Sequence, residues 1–409
     1  MTLSKIENNI LELLNQAKQS QKNNELDQAV DAYKKAIAIK PTYSKYLNLG
    51  NIYQDLQQLD LAIAAYQQAQ ILESAKDSVY FKLGDCYQKQ QQWQEAILIY
   101  QKALRISKNR FSDAKVYRSI KNIHLQQNNI QAAIDNYKQE LVHHCLVNKE
   151  HQIIYIPIAK NACTMFTTMI VEHSNASKMY HDSGQTIYRY SRRHDTQFGL
   201  QDFSCFSDSK YFKFAILRNP FDRLISGYLD KLVKYSKLEP CAQEIIREVQ
   251  HFWGIKYSLK QSITFRQFLI YLANTEDHFL DKHWRSQHTF LGIDLFELDY
   301  LGQFEKLESI ISFLENKFNY KITTDVKQTN NYGEHITKYI KYSPGEKLCD
   351  TYPSELKLLK QTNGGYPHVK HFYTPESIEL VKHRFTKDIA IYQQHFRVSC
   401  EKMLDFRYK

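Results

Sequence analysis

Two short stretches hold the residue types that bind anions. In LRNPFDRLISGYLDKL, Arg218 follows an apolar, aromatic-rich run, and Ser226 lies a little further along. An arginine on a turn with a hydroxyl beyond it suits a phosphate. Upstream, Ala159-Lys160-Asn161-Ala162-Cys163-Thr164 is a run of small residues carrying one lysine. Such a loop exposes successive backbone N–H groups that cradle a phosphate or sulfate, with the lysine as a mobile charge. It is not a Walker A sequence: G-x-x-x-x-G-K-[ST] is absent, and Lys160 precedes the small residues instead of following them.

Both stretches need elements to hold them. Tyr211–Leu217 has the length and composition of a buried strand, and Asn219-Pro220 stops it. Beyond the proline, Phe221, Leu224, Ile225, Tyr228, Leu229 and Leu232 form one apolar helical stripe, with Asp222, Arg223 and Ser226 off it. Likewise Ile153–Ile158 reads as a short strand and Met165–Glu172 as a helix. Each stretch is therefore a strand, a turn and a helix, and α/β proteins hold anions where a strand end meets a helix N-terminus. Between them, Ser177–Ser209 is polar, carries His181, Arg189, Arg192, Arg193 and His194, and reads as loop or short helices. Further on, Cys241–Gln250 and Thr264–Ala273 read as helices and Asp281–Gln287 as a polar–aromatic cluster. Tyr300–Glu305 reads as another strand before the amphipathic helix Leu307–Phe318, and Pro375–Phe396 as a final helix.

The N-terminal part is built differently. Gly50 and Gly84, Tyr53 and Tyr87, Ala62 and Ala96, Tyr66 and Tyr100, and Ala69 and Ala103 each recur at 34 residues. Small residues where helices cross, with aromatics between them, at this period form the tetratricopeptide pattern. Ala29, Tyr33, Ala36 and Pro41 give half of an earlier unit, and Ala133 and Tyr137 close a divergent last one. A helix pair of this kind cannot bury its apolar face alone, so neighbours stack. The expectation is an all-α superhelix of about four units over residues 1–145, with a possible protein or peptide partner on its concave face.

Composition narrows the class. The chain has 409 residues, 24% charged and 43% hydrophobic, which fits globular domains and excludes a disordered chain. No stretch approaches the roughly 18–20 consecutive apolar residues of a membrane span. The N-terminus lacks a continuous apolar core, so a cytoplasmic location is expected. Seven scattered cysteines without C-x-x-C read as reduced thiols, neither a disulfide framework nor a zinc site. The net charge of +10 is spread along the chain, with no dense Lys/Arg run among aromatics, and no nucleic-acid partner is expected.

Four segments together resemble one family, the carbohydrate sulfotransferases that use 3′-phosphoadenosine 5′-phosphosulfate, closest to the branch with the chondroitin and dermatan 4-O enzymes. YIPIAKNACT is similar to that family's 5′-phosphosulfate loop, and YFKFAILRNPFDRLISGY to its 3′-phosphate motif. DKHWRSQ with YLGQFEKLES resembles the next landmark, and RFTKDIAIYQQHF the closing one, with Phe385 where tyrosine is usual. Over residues 150–409 the resemblance implies a P-loop-like α/β domain with a parallel sheet. It implies that Lys160 contacts the phosphosulfate bridge and that Asn161, Ala162, Cys163 and Thr164 hold the 5′-phosphate end, with Arg218 and Ser226 on the 3′-phosphate. The donor is then that phosphosulfate, no metal is required, and the acceptor is a hydroxyl of a carbohydrate or glycoconjugate. Transfer of a sulfuryl group needs in-line positioning and cations on the leaving oxygens. The acceptor's base is assigned to His194, with His181 as its competitor; Trp284 and Gln287 are candidates for the acceptor cleft, with a buried structural tryptophan as the equal alternative. Two alternatives stay open: sulfation of protein tyrosine presented by the repeats, and a repeat scaffold whose second domain is inactive.

Overall fold

Asn219 ends one element and starts the next. Its side chain accepts the Phe221 N–H at 3.1 Å, and Pro220 fills the first helical position, where a missing N–H is harmless. In the computed structural model, which describes residues 3–23, 25–193, 197–234, 240–259, 261–277, 280–319, 339–340 and 348–404, this is the junction between strand β3 and the motif's helix. The chain divides into two compact units. One comprises Met1–Glu140 with Lys256–Ser258, the other Leu141–Ile255 with Leu259–Lys409.

The first unit is built from successive helices. Helices α1 (Leu3–Lys22), α2 (Leu26–Ile39), α3 (Tyr43–Asp55), α4 (Leu59–Leu72), α5 (Asp77–Lys89), α6 (Trp93–Ile106), α7 (Arg110–Gln126) and α8 (Ile130–His144) follow one another, α8 running on past Glu140. The period seen in sequence is a packing device. A Cβ built on Gly50 would stand 2.4 Å from the Tyr66 ring, and one on Gly84 would stand 2.4 Å from the Tyr100 ring. The glycines therefore let α3 and α5 approach the tyrosines of α4 and α6. Those rings are buried, and their hydroxyls donate to Asn51 at 2.8 Å and to Asp85 at 2.7 Å.

The second unit contains a four-stranded sheet in the order β1 (Leu146–Asn148), β2 (Ile153–Ile156), β3 (Phe212–Leu217), β4 (Tyr300–Gln303). The parallel core expected from the sequence is β2–β3–β4, with Tyr155 beside Phe214 and Ala215 beside Leu301. An added strand makes the sheet mixed: β1 runs antiparallel to β2 because only a short turn joins them. Both β2 and β3 are buried almost throughout, as strands covered on two faces must be. Helix α9 (Cys163–Glu172) and the helix Leu307–Phe318 supply Met165, Phe166, Ile310 and Leu314 to one core with Tyr155 and Phe214. Elsewhere in this unit, β5 (Tyr339–Ile340) and β6 (Tyr366–Pro367) pair in parallel.

Two elements depart from the sequence reading. The motif's helix α10 (Pro220–Tyr228) does not continue as α-helix to Leu232: Leu229–Val233 is a π turn, closed by Lys234 N–H to the Leu229 carbonyl at 3.0 Å. The stretch Pro375–Phe396 is two helices, Pro375–Arg384 and α11 (Thr386–Phe396), broken at Phe385, whose ring is buried.

Candidate active site

The loop after β2 is built with two residues in the left-handed region, Lys160 at φ 70° and Ala162 at φ 60°. Neither is glycine, so the fold holds them against local preference, as is common where backbone geometry serves a ligand. Ala162 is the N-cap of α9 and makes no side-chain cap, which leaves the first-turn amides without an intrahelical acceptor. Alternating conformations of this sort turn successive N–H groups toward one point.

Lys160, Asn161 and Arg218 meet at the carboxyl ends of β2 and β3. The Arg218 Nη1 donates to the Lys160 carbonyl at 3.1 Å, and its guanidinium lies 4.5 Å from the centre of the Phe304 ring. Asn161 is fully buried and donates through Nδ2 to the Ile216 carbonyl at 2.8 Å and to Gln287 Oε1 at 2.6 Å. Gln287 also accepts the Arg218 N–H at 3.0 Å and donates to the Arg218 carbonyl at 2.8 Å. It is thus a backbone mimic that pins the two loops together. Gln287 and Trp284 are each 1% exposed, and Trp284 packs edge-on against Phe268 at 5.5 Å, as a structural tryptophan does.

The Lys160 ammonium pairs with Asp230 at 2.8 Å, and Asp230 also faces Lys231 at 3.5 Å. Asp230 and Lys231 sit on the π turn, whose extra residue changes the direction of the side chains beyond Tyr228. Burial pulls the Lys160 pKa below the ordinary lysine value; Asp230 opposes that shift, while Lys231 and Arg218 add to it.

The remaining loop residues are held from the other side. Tyr188, on the helix Ile187–Ser191, meets Cys163 Sγ at 2.8 Å and Thr164 Oγ1 at 2.6 Å through its hydroxyl. Burial raises the Tyr188 pKa, and Arg192 stacks over its ring at 4.7 Å. Ser226 is buried on α10, and among the described residues its hydroxyl has no hydrogen-bond partner. His194 lies outside the described residues. His181 is exposed and pairs with Glu172 at 2.9 Å, at the far end of α9 from the loop.

Several residues that organise the site carry no local signal. Arg223 is 1% exposed and donates to three carbonyls: Ala159 at 3.0 Å, Arg285 at 2.8 Å and Lys282 at 3.0 Å. Burial lowers its pKa to about 10. On α11, Asp388 accepts the N–H groups of Gln287 at 2.7 Å and His288 at 2.9 Å. Glu305, after β4, accepts the Asn219 N–H at 2.8 Å and the Tyr392 hydroxyl at 2.6 Å. Finally, His283 Nδ1 contacts the Asp281 carboxylate. Its only trace in the sequence is the Asp-x-His spacing within the polar–aromatic cluster.

A mixed sheet whose parallel core carries two strand–loop–helix units, with a lysine and an arginine joined at their loops, defines an α/β domain suited to an anionic group. The chain belongs to the sulfotransferase family, whose profile matches residues 143–393, and the tetratricopeptide repeat profile matches residues 41–109 and 76–141. It is 25% identical over 186 residues to carbohydrate sulfotransferase 14 of Danio rerio, covering 43% of this chain and 48% of that protein. To carbohydrate sulfotransferase 11 of Rattus norvegicus it is 25% identical over 227 residues, covering 51% of this chain and 63% of that one. The chain therefore spans about half the length of the first of these relatives and under two thirds of the second. Among solved structures, one titled "Crystal structure of MamA" aligns with a TM-score of 0.29 at 18% identity, over 43% of this chain and 91% of that chain. No helix among the described residues is long and apolar enough to cross a membrane.

Proposed function

We propose that this chain transfers a sulfuryl group from 3′-phosphoadenosine 5′-phosphosulfate to a hydroxyl of a carbohydrate or glycoconjugate. The observation that carries the reading is the junction of Lys160 and Arg218 within the span matched by the family. The residues fit such a donor. An uncapped helix N-terminus and two left-handed loop residues, one of them the lysine itself, suit the 5′ end. Arg218 and the unpartnered Ser226 hydroxyl suit the 3′-phosphate. When bound, the donor supplies the sulfuryl group as a mixed anhydride. Lys160 then places a positive charge at the oxygens where negative charge grows, and the amides of Ala162, Cys163 and Thr164 hold the 5′-phosphate end in line. Arg223 fixes the Ala159 carbonyl, and Gln287 fixes the spacing of the two loops. The repeat array is proposed to bind a protein or peptide partner on its concave face, which would bring the enzyme to its acceptor.

The test is transfer of label. The purified full chain is incubated with radiolabelled donor and separate panels of polysaccharides, glycolipids and tyrosine peptides. Label on a carbohydrate, lost in Lys160→Ala, is the expected result. Label on tyrosine peptides alone would replace the acceptor class, and absence of label from every panel would favour the scaffold reading.

A further inference from the structure

We infer that His283, oriented by Asp281, takes the proton from the acceptor hydroxyl. The inference rests on the sulfotransferase reading above and names the base for it. Three observations lead there.

The first is the tautomer. Asp281 accepts both the His283 backbone N–H, at 2.9 Å, and its ring Nδ1. A carboxylate offers only acceptors, so Nδ1 carries the hydrogen and Nε2 carries a lone pair. Among the described residues Nε2 has no hydrogen-bond partner, and the side chain keeps 16% of its exposure. A base held in one tautomer by a carboxylate, with its other nitrogen open, is the arrangement that activates hydroxyl groups in many enzymes.

The second is position. Arg223 binds the carbonyls of Ala159 and Lys282 with one guanidinium, and these residues directly precede Lys160 and His283. The two side chains that would act on the transferred group thus start from neighbouring backbone. The π turn reaches both, since Asp230 pairs with Lys160 and the charge of Lys231 acts on His283.

The third is the surrounding charge. His283 is faced by Asp281 and Lys282 from its own segment and by Lys231 from the π turn. Burial holds the imidazole pKa below its ordinary value. The two lysines push the same way and Asp281 opposes them. The ring is then neutral at pH 7 and ready to accept a proton, which is the state a general base needs. In the transfer step the acceptor oxygen bonds to sulfur as the bond from sulfur to the donor's phosphate oxygen breaks. The hydroxyl proton passes to Nε2 and the nucleotide leaves with the bond's electron pair. The imidazolium then returns its proton to water.

The test uses the full chain and two probes, 3′-phosphoadenosine 5′-phosphate for binding and water as acceptor, followed as sulfate released from labelled donor, with chondroitin as a second acceptor. His283→Ala should slow release by about 10²- to 10⁴-fold, keep nucleotide affinity within roughly threefold, and recover in part when imidazole is added. Its acidic limb in kcat/KM should disappear. Asp281→Asn should retain an acidic limb but move it to lower pH, because the group that raises the imidazole pKa is gone. His283→Gln guards against misfolding. Loss of nucleotide binding in both His283 variants would make the residue structural and overturn the inference. So would an acidic limb and turnover preserved in His283→Ala, or a wild-type chain that binds the nucleotide yet transfers to neither acceptor. Wild-type failure to prefer this nucleotide over adenosine 5′-phosphate would instead overturn the sulfotransferase reading.

Discussion

Replacing Arg223 should unfold the second unit before it affects any chemistry directly. The guanidinium gives three hydrogen bonds to carbonyls that have been taken out of water. Bonds to a charged group contribute about 1.5–3 kcal/mol each, so the three are worth about 5–9 kcal/mol gross. Against this stands the burial of the charge, which lowers the pKa to about 10 and so costs about 3 kcal/mol. The difference leaves Arg223→Ala destabilised by about 2–6 kcal/mol, which spans the roughly 3–5 kcal/mol usual for breaking a buried charged pair. Lysine cannot point three donors along one planar fork, so Arg223→Lys should restore less than half of the loss. Arg223→Met fills the space without donors and should behave like alanine. The assay is urea unfolding of the full chain carrying Trp93→Phe, followed by tryptophan fluorescence, since Trp253 and Trp284 lie in the second unit and Trp93 in the first. Nucleotide affinity should fall by about tenfold in Arg223→Lys, because the Ala159 carbonyl beside Lys160 is no longer fixed. A loss of stability under 0.5 kcal/mol in Arg223→Ala, roughly the level of a neutral surface change, would refute the reasoning.

Two further outcomes test other parts of the structure. Gly84→Ala forces a methyl group into the Tyr100 ring, so it should destabilise the repeat unit by about 1–3 kcal/mol despite alanine's better helix propensity, measured by thermal unfolding of the far-ultraviolet signal. An equal or raised midpoint would show that the ring moves freely. Asp230→Asn should move the alkaline limb of nucleotide binding to lower pH. Burial has already lowered the Lys160 pKa, and without the Asp230 charge the ammonium loses its proton earlier still. At low pH the variant should bind at least as tightly as wild type, having lost a competing anion; calorimetry across pH 6–10 would contradict this with an unmoved limb, the pH span being about that of the groups concerned.

What could be read from sequence is what short-range spacing encodes. The apolar run and the Asn219-Pro220 stop gave β3 and the start of α10, because both depend on residues within one turn of each other. The 34-residue period worked for the same reason: Gly84 and Tyr100 belong to one helix pair. Gln287 could not be read so. Its partners Arg218 and Asn161 are 69 and 126 residues away, and nothing local distinguishes a bridge from a cleft residue. Arg223 was placed off the apolar stripe, which is correct for its spacing, yet it is buried because three distant carbonyls need it. The π turn at Leu229–Val233 was invisible because Leu232 stays buried whether the helix continues or widens. The strand β1 leaves no trace in the sequence because three residues are too few for a period to show.

A donor site built on Arg218 and Ser226 must prefer a nucleotide that carries a 3′-phosphate. Calorimetric titration of the full chain with 3′-phosphoadenosine 5′-phosphate and with adenosine 5′-phosphate isolates that group. Charge-assisted bonds from Arg218 and a hydrogen bond from Ser226 should favour the first nucleotide by about tenfold or more, and Arg218→Ala should remove most of that preference. Equal affinities for the two nucleotides in the wild-type chain would contradict the assignment of this site.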